Sequence, residues 1–413
     1  MSVLHSAIPS LFVLWSTLFS SLLMSPTEAP LQASYEELTK EEQLQWQATV
    51  EALLSTGIEF SYGEEKGAIP AQNKDLFFTK SSEEELWQLR LGSDFTNYVI
   101  ETIQTQIEKE SSDLTLLEAD ANQISKVRME GQVEDGVSIQ ESLLRAELFK
   151  SIASGEVQIE VPARIVKGEV INSTGIDLGP LEEIAEGKST FWGSSPEREF
   201  NIKKAINEKF NGILIPPGAE FSYVEWLGPI EYAGWKQAYT IFQGTKLEKA
   251  PAGGVCQIST TIYRAALDAG LELTEQRAHS LYVIYYNDYG DGLDATIFPG
   301  EQDLKFVNNS PNYLLMTATE EGYYEAVVRL YGENTGKETT LIGPYTASNQ
   351  TEETLTELGQ MGIGEMAWKY IITFADGTSE EKWIHNSYFS QVTQHKNPPR
   401  ELDTNAPPEN KPH

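Results

Sequence analysis

The chain has 413 residues, with 62 acidic against 30 basic side chains and a formal charge of −32. So acidic a chain lacks the basic footprint that nucleic-acid binding requires and is poorly suited to anionic lipid heads; solubility and mutual repulsion are the plain reading of the charge. Its length suffices for two or three compact units, and its 40 % apolar content is that of an ordinary globular protein.

Ala7 to Met24 is an uncharged apolar run, long enough for the core of a signal peptide, although the first lysine is Lys40 and the usual basic n-region is missing. The run reads as an export signal cleaved after Ala33 or as an uncleaved anchor. Either places the rest of the chain outside the cell or in the cell wall, with membrane contact only through this segment. No other run is long enough to span a bilayer.

From Ser34 to about Asn122 the texture is helical and acidic. Ser82-Glu-Glu-Glu85 is a capping box leading toward Leu86, Trp87 and Leu89, and Asp94 opens a helix with Phe95, Tyr98, Val99, Ile103 and Ile107 on one face. Between Ile124 and Asp177 the pattern changes to strand, helix, strand. Ser138-Ile-Gln-Glu141 caps a helix carrying Leu144, Leu148 and Ile152, Val157 to Val161 alternates as a half-buried strand, and Arg164 to Ile171 suits another. Leu181 to Phe200 is linker-like, punctuated by Gly, Ser and Pro, and a helix with Ile202, Ala205, Ile206 and Phe210 follows, stopping at Asn211-Gly212. Pro216-Pro217-Gly218 then turns the chain into Glu220 to Val224. Beyond the central region, Tyr323 to Leu330 and Trp368 to Trp383 alternate like strands, Phe374-Ala-Asp-Gly-Thr378 is a hairpin turn, and Asn397 to His413 is a polar tail.

The only cysteine, Cys256, follows Gly253-Gly254, and Ile258, Ile262, Ala265, Ala266 and Ala269 recur at helical spacing until Gly270. Cys256 therefore falls in the first turn of an amphipathic helix, where unpaired N–H groups and the dipole favour a thiolate. A lone cysteine in an exported chain makes no internal disulfide; it is either a small buried hydrophobe or is kept for chemistry. His279, at the entry to the strand-like run Leu281 to Tyr286, is the candidate base, and Asp294, in a turn before Ala295-Thr-Ile297, is either the group that orients the imidazole or a turn residue. The order Cys, His, Asp on helix, strand and strand parallels papain-like and transglutaminase-like proteins. Backbone N–H groups around Gly254, Cys256 and Gln257 are candidate oxyanion donors. Ser259, Thr260 and Ser280 are candidates for substrate contact, with capping the alternative for the hydroxyls in the helix. Neither a His-Glu-x-x-His nor a Cys-x-x-Cys spacing occurs, and no phosphate loop follows the two glycines, so neither metal nor cofactor is expected.

Gly253-Gly-Val-Cys-Gln-Ile-Ser-Thr-Thr-Ile-Tyr263, His279-Ser280 and Asp294-Ala-Thr-Ile297, with Asn201-Ile-Lys, Asn211-Gly212, Pro217-Gly-Ala-Glu-Phe-Ser222 and Asp303-Leu-Lys-Phe-Val-Asn-Asn309, resemble the VanW-like domain family over roughly Ser189 to Met316. The preceding unit is more weakly similar to a peptidoglycan-binding domain often found ahead of such domains. The resemblance implies an exported, cell-wall-associated protein, described as an accessory to glycopeptide resistance or as an L,D-transpeptidase whose motif cysteine acts on peptidoglycan stem peptides. Carried over, Cys256 is the nucleophile and His279 its base. Ala252 stands where the family usually has the first of three glycines, and Ala278 where a proline is common. In the better-known L,D-transpeptidase family the histidine and serine precede the cysteine, so the reaction could be shared while the fold is not.

The expectation is a multi-domain α+β chain: a signal or anchor at 1–33, a helical to α+β wall-binding unit at 34–185, a Cys–His α+β domain at 186–320, a β-rich appendage at 321–395 and a disordered tail at 396–413.

Overall fold

The computed structural model describes residues 57–69, 78–80, 87–89, 93–154, 158–230, 234–242 and 246–388. The expected leader, the Tyr35 to Leu54 segment and the polar tail lie outside them. The described chain is mixed α+β, mostly strand, with six α-helices. It divides into two compact units, one holding the chain up to Ser112 together with Glu134–Gly168, the other Asp113–Val133 and everything from Glu169 onward.

In the first unit the helix Ser93–Ile107 forms as its spacing predicts and buries Val99, Ile100, Ile103 and Ile107. These pack with Leu144 and Leu148 of the helix Glu141–Ser154, and with Ile58, Phe60, Ile69 and Ile159 of a sheet in which Ile58–Tyr62 lies between Glu65–Ile69 and Gln158–Glu160. Trp87–Leu89, expected to be helical after Ser82, is instead a strand paired with Phe78–Lys80. Here sheet pairing overrides a local capping signal. Ser138 likewise lies in the strand Gly136–Ile139, and the helix after it opens at Glu141.

The second unit is built on a five-stranded antiparallel sheet, in the order Glu182–Thr190, Glu325–Gly332, Leu314–Glu321, Ile213–Ile215, Ser125–Lys126. The boundaries expected at 185/186 and 320/321 both fall inside strands of this sheet. The linker-like Gly and Ser residues are strand residues for a steric reason. Gly187 and Ser189 point at the helix Cys256–Asp268: a Cβ on Gly187 would lie 2.2 Å from Thr261 O, and Ser189 Oγ is 2.6 Å from Thr261 Oγ1. Small side chains let helix and sheet approach closely, and the helix buries Ile258, Ile262, Ala265 and Ala266 in the principal core.

The expected helix after Pro196 forms as Pro196–Lys204, capped by Ser195, and continues as a π-turn, Ala205–Phe210. The hairpin at Phe374 to Thr378 joins Glu365–Thr373 to Ser379–Ser387, which with Glu338–Thr346 form a three-stranded sheet. This sheet is not an appendage: Tyr370 and Ile372 belong to the principal core, and the Tyr370 hydroxyl donates to Leu267 O at 2.5 Å. None of the described helices is long and apolar enough to cross a membrane.

Candidate active site

Cys256 is the first residue of its helix, which ends at Asp268 with Gly270 just beyond. The turn before it is held from three sides. Gly253 passes so close to the hairpin strand Gln237–Phe242 that a Cβ would meet Ala238 O at 2.2 Å. The Asn201 amide donates to Gly253 O and to Lys236 O, each at 2.9 Å, and the Tyr223 hydroxyl donates to Val255 O at 2.8 Å. Ala252 takes φ of 59° and Gly254 φ of 105°, so the alanine occupies a backbone state that glycine adopts without strain.

The thiol is half-buried and interacts directly with the imidazole of His279. Burial pushes the thiol up, yet the hydrogen bond and positive charge of His279 outweigh it and hold Cys256 below the ordinary thiol range. On the far side of the ring, Nδ1 pairs with Asp294 Oδ2, which also accepts the backbone N–H of His279 at 2.8 Å. Burial alone would pull the imidazole down; the bonds to Asp294 and Cys256 push it up to about 10. Tyr286 covers the ring, with centroids 5.5 Å apart. The arrangement favours a thiolate–imidazolium pair in which the carboxylate accepts the Nδ1 proton and fixes the ring orientation.

The three residues therefore meet, on carriers that differ from the expected ones. His279 lies in an irregular segment after the strand Glu272–Glu275, the run Leu281 to Tyr286 ends in a 3-10 turn at Ile284–Tyr286, and Asp294 to Ile297 is not a strand. Local β-propensity loses here to side chains that clamp the loop. Ser259 donates to Ala295 O at 2.6 Å, Thr260 Oγ1 accepts the Ala295 N–H at 3.1 Å, and Gln276 donates to Asp294 O at 2.7 Å. Ser259 and Thr260, considered for substrate contact, are fully buried and carry the Asp294 loop. Gln257 is also buried; its N–H is taken by Gly254 O at 2.9 Å and its side chain bridges Arg198 and Thr190 O. Among the described residues neither the Gly254 N–H nor the Cys256 N–H has a backbone acceptor, which leaves both as candidate oxyanion donors at the helix start. Ser280 is half-buried beside His279. No group of three His, Cys, Asp or Glu side chains able to hold a metal ion occurs among the described residues.

Three contributors escaped the sequence. Arg264 donates to five backbone carbonyls, those of Leu293, Lys188, Asp288, Tyr286 and Gly290, and so ties down the loop between His279 and Asp294. Its signal was available: it is the only charged residue in the helix before Asp268. Tyr388 donates to Asp294 Oδ1 at 2.5 Å, while Trp368 and Asn386 bond to Asp291 O and Gly292 O. The C-terminal sheet thus completes the surroundings of Asp294, and no motif marks that contact. The third is Arg198, buried against Gln257.

Fold and site together define an α+β protein with a Cys–His–Asp constellation at the start of a buried helix. By sequence, residues 197–331 match the family described as VanW like protein. The chain is 26 % identical over 181 residues to the uncharacterized protein YoaR of Bacillus subtilis (strain 168), a match covering 44 % of this chain and 57 % of that protein. It is 32 % identical over 114 residues to the vancomycin B-type resistance protein VanW of Enterococcus faecalis (strain ATCC 700802 / V583), covering 27 % of this chain and 41 % of that one. The chain therefore spans about half the length of these curated relatives. Among solved structures, weak likenesses occur to the Ldtfm–avibactam carbamoyl enzyme, with a TM-score of 0.21 and 12 % identity over 52 % of this chain and 75 % of that one. A mutant of the Enterococcus faecium L,D-transpeptidase gives a TM-score of 0.20 and 10 % identity over 50 % and 75 %.

Proposed function

We propose that the protein is a cell-wall cysteine acyltransferase, an L,D-transpeptidase that joins peptidoglycan stem peptides by 3-3 cross-links. The observation that carries this reading is the half-buried Cys256 thiol at a helix start, paired with an imidazole whose other nitrogen is held by a buried carboxylate. The Cys256 thiolate attacks the donor carbonyl, and the Cys256 N–H supports the oxyanion. The His279 imidazolium then gives its proton to the departing amine, releasing the terminal D-residue and leaving an acyl thioester. A neighbouring stem's side-chain amine attacks that thioester, His279 takes the amine's proton, and the thiolate leaves. Amine rather than water as acceptor follows from the family resemblance. The apolar run at Ala7 to Met24 supports export, and the upstream unit is assigned to wall binding on the weaker resemblance.

The test is mass spectrometry of wild type beside Cys256→Ala after incubation with disaccharide tetrapeptide stems. A dimer carrying a 3-3 cross-link from wild type alone is expected. Shortened monomers alone would make the protein a peptidase. Untouched stems, from protein that still binds sacculi, would make it a non-catalytic accessory protein.

A further inference from the structure

The second unit buries two arginines of opposite character. Arg264 has all its donors on main-chain carbonyls and is a structural clamp. Arg198, only 8 % exposed, engages two of its five N–H groups: Nη1 donates to Ser194 Oγ at 2.5 Å and Nη2 to Gln257 Oε1 at 2.7 Å. The ring of Tyr285 stacks on the guanidinium with its centroid 4.1 Å away. Neither hydrogen-bond partner is anionic, and among the described residues no ion pair to a carboxylate forms at Arg198, in a chain with 62 acidic side chains. Burial disfavours the cation, the negative charges of Cys256 and Glu199 favour it without hydrogen-bonding it, and a planar guanidinium with unengaged N–H groups is the preferred partner of a carboxylate.

Its location gives those N–H groups a meaning. Gln257, which orients the guanidinium, follows Cys256 directly, and a Cβ on Gly254 would lie 2.6 Å from Arg198 Cγ and 3.3 Å from Nε. The Arg198 side chain thus packs directly on the turn that presents the thiol, and only a glycine at 254 lets it come so close. We infer that Arg198 is the docking point for a free carboxylate of the acyl donor, the α-carboxylate of the residue that departs, three bonds from the carbonyl attacked by Cys256. This rests on the acyltransferase reading and narrows it: donors are peptides with one residue beyond the scissile bond, and chains extended or amidated there are rejected.

The experiment compares the tetrapeptide stem with its C-terminal carboxamide on the full chain. For wild type, kcat/KM should favour the free acid about 10- to 100-fold, the range of a charge-assisted hydrogen bond. In Arg198→Gln, and more weakly in Arg198→Lys, the preference should collapse toward unity, chiefly through KM, while iodoacetamide still alkylates Cys256 at the wild-type rate. Equal use of acid and amide by wild type, or preference retained in folded Arg198→Gln, overturns the proposal. Slowed alkylation in Arg198→Gln also overturns it, by making the arginine a thiolate-stabilising group. Calorimetric binding of acid and amide to Cys256→Ala separates the two readings. Discrimination there without turnover by wild type would sink the acyltransferase and keep the anchor, and turnover without discrimination would do the reverse.

Discussion

The two halves of the site are held in place by different means. Cys256 sits on regular structure, its helix fixed by main-chain hydrogen bonds and by close packing on the strand Glu182–Thr190 through Gly187. His279 and Asp294 sit on a stretch that is almost wholly irregular, kept in shape by side chains from distant parts of the chain: Arg264, Ser259, Trp368, Asn386 and Tyr388. A catalytic geometry can thus be half secondary structure and half clamped loop. The two halves should respond differently to substitution.

The largest effect should come from Arg264→Met, which strips five backbone carbonyls, two of them in fully buried bonds, of their donor. Denaturant unfolding should show a loss of roughly 3–5 kcal/mol, and Cys256 should react with iodoacetamide like an ordinary thiol. A variant that kept both stability and thiol reactivity would break the contrast, because the loop would then hold itself.

His279→Ala comes next and leaves the helix half intact. At pH 7 the thiolate fraction, read from alkylation rate, should fall toward that of a free cysteine. The wild-type rate should level off at a lower pH than that of the variant, because His279 holds the thiol below its ordinary range. Folding raises the imidazole pKa to about 10, so the proton on His279 stabilises the fold fully below its unfolded value of about 6.5 and ceases to do so as pH rises through about 10. The stability gap between wild type and His279→Ala should therefore shrink between pH 7 and pH values above that folded value. A gap that widens would contradict the ion pair.

On the helix side, Gly187→Ala places a methyl against the Thr261 carbonyl and should cost about 1–3 kcal/mol by overpacking, read by thermal unfolding. The pH dependence of alkylation should keep its shape in this variant, since the loop is untouched. The smallest expected effect has the opposite sign: Ala252→Gly relieves a positive φ and should stabilise by about 0.5 kcal/mol after the entropy of glycine in the unfolded chain is counted.

The same contrast governs what the sequence reveals. The cysteine helix was legible from its apolar spacing and its closing Gly270, because period and burial agree there. The helices starting at Ser93 and Pro196 and the Asp-Gly hairpin were legible for the same reason. His279 and Asp294 were recognisable as residues, but the strands assigned to carry them do not exist: alternation near Tyr282 to Tyr286 reports partial burial of a loop. Glu186 to Ser195 reads as a linker when its glycine and serines are taken as breakers. Their true reason, the approach of a helix from another part of the chain, has no local signature. Arg198 and Tyr388 act across 59 and 94 residues respectively, beyond the range of any periodic pattern.

The hydrogen bond from Tyr388 to Asp294 also bears on timing. A chain is made from its N-terminus, so Cys256, His279 and Asp294 all emerge well before the tyrosine that lies 94 residues beyond the aspartate. Until the last strands arrive, Asp294 lacks one of its partners and the imidazole it orients is less firmly set. The thiol would then acquire its full reactivity only after Tyr388 has been made and docked, which spares the shorter nascent chain a reactive group that could attack its neighbours.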